Sequence, residues 1–86
     1  MPDRRTYEPV LSSKSAGFLV GLSKARQRML IRILYQLAET PSQIGDYSEA
    51  DGTGRVIQFI LIRDLLVAFW ADHAVRELRI VDIEEV

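Results

Sequence analysis

Residues 55–83 read RVIQFILIRDLLVAFWADHAVRELRIVDI, and this stretch decides the fold. Runs of β-branched and aromatic residues are broken twice by short polar segments, the pattern of strands joined by tight turns. Arg55 to Ile62 reads as a first strand, with Val56, Ile60 and Ile62 on one face and Ile57, Phe59 and Leu61 on the other. Arg63-Asp64 is the length of a two-residue hairpin turn, although it lacks the glycine such turns favour. Leu65 to Ala71 forms the next strand, Asp72-His73-Ala74 turns the chain, and Val75 to Ile83 forms the last. On that last strand Leu78 and Ile80 are expected on one face, and Val81 and Ile83 on the other. An antiparallel sheet packed on one side only should alternate more cleanly between apolar and polar residues. The apolar second face therefore predicts cover by a partner chain, unless β-branched residues are there only because they suit strands.

Upstream of the meander the period changes. Gln43 to Gly54 carries the turn signals Gly45-Asp46 and Asp51-Gly52-Thr53-Gly54 and reads as irregular. Before it, Met29, Leu30, Ile33, Leu34 and Leu37 fall at helical spacing, predicting a helix over residues 24–39. Ser23 is placed to cap its start, and Pro41 stops it. A preceding helix starts at Ser12 or Ser13 and runs to about Leu22, burying Phe18, Leu19 and Leu22. The short connection makes the two an αα-hairpin. Tyr7 to Leu11 reads as a strand that Pro9, without an N–H, confines to a sheet edge. The expected architecture is a single α+β domain over residues 1–86: a short edge strand, a two-helix hairpin, then an antiparallel three-strand meander.

The chain has 86 residues and no cysteine, so disulfides and thiolate metal sites are excluded. A domain of this size buries roughly 60–65% of its unfolded surface, enough for one core. Absence of cysteine suits the cytoplasm. The charged Met1-Pro2-Asp3-Arg4-Arg5 is followed by no apolar core, so no secretory signal is expected, and no apolar run is long enough to span a membrane. Net charge is −1 but uneven: residues 1–43 hold seven basic and three acidic side chains, residues 44–86 four and nine. Such asymmetry marks either a partner surface or ordinary solvated faces.

Three patterns resemble the RelE/ParE superfamily of toxins, in a branch of RelE-like cytotoxic translational repressors. The first is Ser13-Lys14-Ser15-Ala16-Gly17-Phe18-Leu19-Val20-Gly21-Leu22 after a strand. The second is a basic helix ending in Leu37-Ala38-Glu39-Thr40-Pro41. The third runs from Gly54-Arg55-Val56 through Trp70-Ala71-Asp72-His73-Ala74-Val75 and closes on Arg79-Ile80-Val81-Asp82-Ile83. Each is loose alone; their order and spacing carry the likeness over nearly the whole chain. The resemblance implies the toxin of a type II toxin–antitoxin system, with a cognate antitoxin protein that wraps it and a homodimer or heterotetramer. It also implies one of two targets: messenger RNA on the ribosome, cleaved by attack of a 2′-hydroxyl on the adjacent phosphate, or DNA gyrase, inhibited without cleavage. A third reading is an interaction module that keeps the fold without the chemistry. No cofactor and no metal are implied.

RNA cleavage needs a base near the hydroxyl and cations near the phosphate. RelE-like members usually supply several Arg or Lys on the sheet and often a His-Arg or an aromatic near the C-terminus. Here the strand expected to be basic reads Gln58-Phe59-Ile60-Leu61-Ile62, the turn region Arg63-Asp64-Leu65-Leu66, and the terminus Asp82-Ile83-Glu84-Glu85. The candidates that remain are His73 and Arg79 as catalytic residues and Arg55, Arg63 and Arg76 as RNA-binding ones. His73 beside Asp72 is a general base or an exposed turn histidine. Arg79 holds a phosphate or pairs with Glu77 or another carboxylate. Trp70 stacks a base or belongs to a core or interface. Lys24, Arg28 and Arg32, spaced i, i+4, i+8, align on one helix face, a mild electrostatic cost that an acidic partner would offset and solvent would screen. P-loop, nucleophile-elbow and metal-ligand spacings are absent from the sequence.

Overall fold

The computed structural model describes residues 6–86; Met1 to Arg5, and with them the charges of Arg4 and Arg5, lie outside the described residues. The elements are β1 (Glu8–Leu11), α1 (Ser13–Val20), α2 (Lys24–Glu39), β2 (Tyr47–Ala50), β3 (Val56–Ile62), β4 (Leu65–Asp72) and β5 (Glu77–Glu85). They build a five-stranded sheet in the order β1-β5-β4-β3-β2, with the helices on one face. The α+β class, the helix pair and the β3–β4–β5 meander are as the sequence predicts. β1 is an edge strand as Pro9 requires, and it pairs with β5 in parallel.

Three details differ from expectation. The segment read as irregular contains β2, a second edge strand in antiparallel register with β3. Its four residues are all exposed, so no alternation reveals it. β5 begins at Glu77 rather than Val75, because β4 extends to Asp72 and residues 73–76 form the turn. The third concerns β5 itself. Ala68 pairs with Asp82 but Phe69 with Ile80, leaving Val81 as an extra residue. This β-bulge resets the alternation. Ile83 therefore joins Leu78 and Ile80 in the core instead of sharing a face with Val81.

The core lies between the helices and the sheet: Leu30, Ile33, Leu34, Leu37 and Ala38 of α2 against Leu65, Val67 and Phe69 of β4 and Leu78, Ile80 and Ile83 of β5. Phe18, Leu19, Leu22 and Met29 pack on its margin, as their spacing predicts. Ser12 caps α1 by accepting from the Ser15 N–H, and Ser23 caps α2 by accepting from the Arg26 N–H. The buried Ser15 hydroxyl donates to the Ile80 carbonyl at 3.2 Å, which fastens α1 to β5.

The β3–β4 hairpin closes on Arg63-Asp64, with Arg63 in the left-handed region at φ 57°. Arg76, in the β4–β5 turn, has φ 54°. Neither residue gains from a Cβ there, and each such position costs on the order of 1 kcal/mol relative to glycine.

The α2–β2 connection reaches the sheet at Gly45. Its N–H donates to the Gln58 Oε1 at 2.9 Å, and a Cβ at this position would sit 2.4 Å from the Phe59 carbonyl oxygen. Backbone cannot yield there as a side chain would. Next to it, the Asp46 N–H donates to the Phe59 carbonyl and its carboxylate accepts from the Leu61 N–H, finishing the outer edge of β3. Gly45→Ala is therefore expected to lower stability by about 1–3 kcal/mol. Thermal melting reads the loss, and hydrogen exchange should localise it to residues 45–50; a variant with unchanged exchange there would contradict the close approach.

Candidate functional site

The sheet face turned away from the helices carries the candidate site. Trp70 and Arg79 are cross-strand partners, so both point to this face. Arg55, just before β3, lays its guanidinium 3.9 Å over the Trp70 ring, and the Arg79 guanidinium stands 5.9 Å from it. An indole flanked by two cations is the product of register rather than of sequence proximity. On the same face Tyr47 of β2 stacks on Phe59 of β3, with centroids 4.7 Å apart and planes 3° from parallel.

This face is less open than its apolar sequence suggests. Ile57 is 8% exposed and Ala68 3% exposed without any second chain, while Leu61 and Tyr47 stand half-exposed. The strands' own large side chains lie against the sheet. The apolar surface this face leaves to solvent is thus confined to its margin, at Leu61 and Tyr47.

Charge decides what the Trp70 site can do. Arg79 Nη2 lies 2.8 Å from a Glu77 oxygen, and its Nε 3.5 Å from Asp72. Arg55 lies 3.5 Å from Asp51. Two guanidiniums thus face three carboxylates, so a phosphate at this site must compete with resident anions. Such half-exposed pairs are individually weak, on the order of 1 kcal/mol or less, so they can be displaced. They nevertheless remove the excess positive charge that would draw RNA from a distance.

The other predicted residues are distributed widely. His73 sits in the β4–β5 turn, where its Nδ1 is 2.6 Å from the Tyr7 hydroxyl and its ring meets Tyr7 edge-on. It lines a pocket of about 250 Å³ with Arg55, Trp70, Gln43, Gln58 and Phe69, between the α2–β2 connection and the strand ends. No hydrogen bond or ion pair joins it to Arg79. Arg63 is at the opposite end of β4 from His73 and Arg76, roughly 25 Å along an eight-residue strand, so the three do not form one patch. Of the predicted residues, Arg55 and Arg79 are brought against the Trp70 ring, and His73 shares the wall of one pocket with Arg55 and Trp70. Lys24, Arg28 and Arg32 are all exposed on α2 and make no ion pair with any described residue.

The sequence marks Asp51-Gly52-Thr53-Gly54 as a turn, which the structure has, but sequence reasoning missed that the Asp51 side chain holds Arg55 there. Asp51 accepts from the Thr53 hydroxyl at 2.6 Å and from the backbone N–H groups of Thr53 and Arg55. The Asp-x-Thr spacing of an Asx turn was the available signal. The Thr53 hydroxyl, then these N–H groups and the Arg55 charge, hold the Asp51 carboxyl below its ordinary value. Among the described residues no cluster of His, Asp or Glu is arranged to hold a metal ion, and no helix is long and apolar enough to cross a membrane.

No family model and no curated protein matches this sequence. Among solved structures, the archaeal RelE–RelB complex from Pyrococcus horikoshii OT3 contains a similar chain. The match is 19% identical, covers 93% of this chain and 94% of that one, and has a TM-score of 0.67. The chain has a RelE-like fold.

The Asp51 turn gives a pH test. A depressed folded pKa means its contribution is complete above the ordinary carboxylate value of 3.8 and is lost as pH falls through the lower folded value. The Thr53 and Arg55 amide resonances should therefore hold their positions down to that pH and shift only below it. A midpoint at or above the ordinary value would contradict the turn as described.

Proposed function

We propose that this chain is the toxin of a type II toxin–antitoxin pair, acting in the cytoplasm on translation and held inactive by a cognate antitoxin protein. The observation that carries the reading is the RelE-like fold over nearly the whole chain, in which a tryptophan flanked by two arginines occupies the free sheet face. In this reading Trp70 stacks a base of messenger RNA on the ribosome, and Arg55 and Arg79 bear on the adjoining phosphate. Cleavage requires a base for the 2′-hydroxyl. In this reading the carboxylates of Asp72 and Glu77, which touch Arg79, take that role rather than His73, which lines the pocket of Arg55 and Trp70 but is bonded to the Tyr7 hydroxyl. A carboxylate is a weak base at neutral pH, and the reaction would be slow.

A second reading is favoured by the same ion pairs: a toxin, or an interaction module, that works by binding alone because its cations are already neutralised. Expression separates the two. Induced alone, the chain should arrest growth and protein synthesis, and co-expression of its cognate antitoxin should restore both. Trp70→Ala should weaken the effect about tenfold or more, since a lost base stack costs roughly 1–3 kcal/mol. Arg79→Gln should abolish transcript cleavage mapped by primer extension, and His73→Ala should leave it intact. Arrest with uncut transcripts would select the binding mechanism, with gyrase as its next target to test. Normal growth on induction would overturn the toxin reading.

A further inference from the structure

The sheet is not closed where β3 begins. β3 starts at Val56 and β4 runs to Asp72, yet their ladder begins only where Gln58 meets Phe69. Beyond that pair β4 continues against β5 alone, so Val56 and Ile57 part from Trp70 and Ala71. The pocket that His73 borders lies at this fork. Val56 and Gln58 line it from β3, Trp70 and Ala71 from β4, and Gln43 and Ile44 from the α2–β2 connection.

Its polar side chains are turned in one sense. Gln58 Oε1 accepts the Gly45 N–H at 2.9 Å, and Gln43 Oε1 accepts the Thr40 hydroxyl at 3.0 Å. Both amide oxygens are thus engaged by the fold. Both amide NH2 groups, each with two hydrogens to donate, have no partner among the described residues. Arg55 adds a guanidinium, which can only donate, and no carboxylate lines the pocket. His73 closes one wall, with its Nδ1 bonded to the Tyr7 hydroxyl.

A lining of this kind restricts its occupant. A cation would meet no counter-charge. A bare phosphate would meet two neutral amides and one arginine that Asp51 already pairs at 3.5 Å. Neutral carbonyl oxygens suit neutral donors better. The volume of about 250 Å³ is below the roughly 300–1,000 Å³ of drug-sized ligand sites, so one ring system fills it. Ile44 and Val56, 81% and 52% exposed, offer that ring apolar walls that the fold itself leaves uncovered. Bases of single-stranded RNA are held in this way, by contact with their faces and hydrogen bonds along their edges. Uracil and guanine present a carbonyl oxygen where cytosine and adenine present an amino group. Donors from Gln43 and Gln58 would bond to the first pair and oppose the second.

We infer that this pocket takes a nucleobase and selects uracil and guanine over cytosine and adenine, with Gln43 and Gln58 reading the carbonyl oxygen. Arg55 lines the pocket and also lies over Trp70, so it stands between a base held here and one stacked on the indole. The inference rests on the RNA reading of the Trp70 face only for the source of the base, a strand rather than a free nucleotide.

The test titrates uridine, guanosine, cytidine and adenosine 5′-monophosphates into the full chain, with the side-chain NH2 resonances of Gln43 and Gln58 as the NMR readout. The uridine and guanosine forms should bind about fivefold or more tighter and shift both amides, a factor within the worth of one hydrogen bond. Gln58→Glu and Gln43→Glu each keep the oxygen that accepts from Gly45 or Thr40 and exchange the NH2 for an acceptor. The added charge weakens all four nucleotides alike, so the ratio between them is diagnostic, and each variant should erase or reverse it. Thermal melts check folding; should Gln58→Glu unfold, Gln43→Glu carries the test. Wild type should also prefer a short oligouridylate to an oligocytidylate, and a preference confined to monophosphates would assign the pocket to a free nucleotide. Equal affinity for all four bases, or a ratio unchanged in the folded variants, would overturn the inference. A chain that arrests translation without any such preference would overturn this pocket and spare the toxin reading. One that selects the uridine form but never arrests growth would do the reverse.

Discussion

One extra residue in β5 organises the molecule. Without the bulge at Val81, strict alternation would send Ile83 to the far side of the sheet and leave the core without one of its walls. With it, Leu78, Ile80 and Ile83 all meet α2, and Asp82 returns to the face that holds Arg79 and Trp70. The bulge also leaves the Val81 carbonyl available to a partner outside the ladder. The Ser12 hydroxyl lies 3.0 Å from it, while the Ile80 carbonyl takes the Ser12 N–H and the Ser15 hydroxyl. The start of α1 is thus sewn to the irregular point of the sheet. Lys14 adds an ion pair to Asp82 at 3.1 Å, so both polar consequences of the bulge are used by the same helix turn.

That dependence explains what was legible in the sequence and what was not. Elements whose boundaries are set by local chemistry were readable: α2 from its stripe and its Ser23 cap, β1 as an edge from Pro9, the β3–β4 turn from its length. The features missed are those fixed by a partner strand. A bulge has no signature in residues 77–85 alone, because its position is decided by how Ala68 and Phe69 pair across the ladder. β2 was invisible for a related reason. All of its residues are exposed, and it is a strand because Gly45 lets the chain approach Phe59 and Asp46 closes the edge. The site was legible in part. Arg55, Trp70 and Arg79 could be named as chemistry-bearing residues, but only the fold shows that they converge and that His73 reaches the pocket of Arg55 and Trp70 from the β4–β5 turn.

The sheet's apolar far face illustrates the limit of composition as an argument. Read as a string, Ile57, Phe59, Leu61, Leu66, Ala68 and Trp70 ask for cover by another molecule. Folded, much of that demand is met within the sheet, through the Tyr47–Phe59 stack and the arginines laid on Trp70. Large planar side chains can shield smaller neighbours on their own face, so the apolar area needing a partner is smaller than the count of apolar residues.

The two charged surfaces differ in how far their charge reaches. On the sheet, Arg55 and Arg79 are held by Asp51, Asp72 and Glu77, which orients them beside Trp70 but cancels their long-range field. On α2, Lys24, Arg28 and Arg32 make no ion pair with any described residue, and their field extends about a Debye length, near 8 Å at physiological salt. Long-range attraction of an anion is thus stronger at the helix than at the sheet. A ligand of the sheet must be delivered and oriented by something else, as it would be for messenger RNA threaded through a ribosome. A ligand of the helix can be captured from solution by charge.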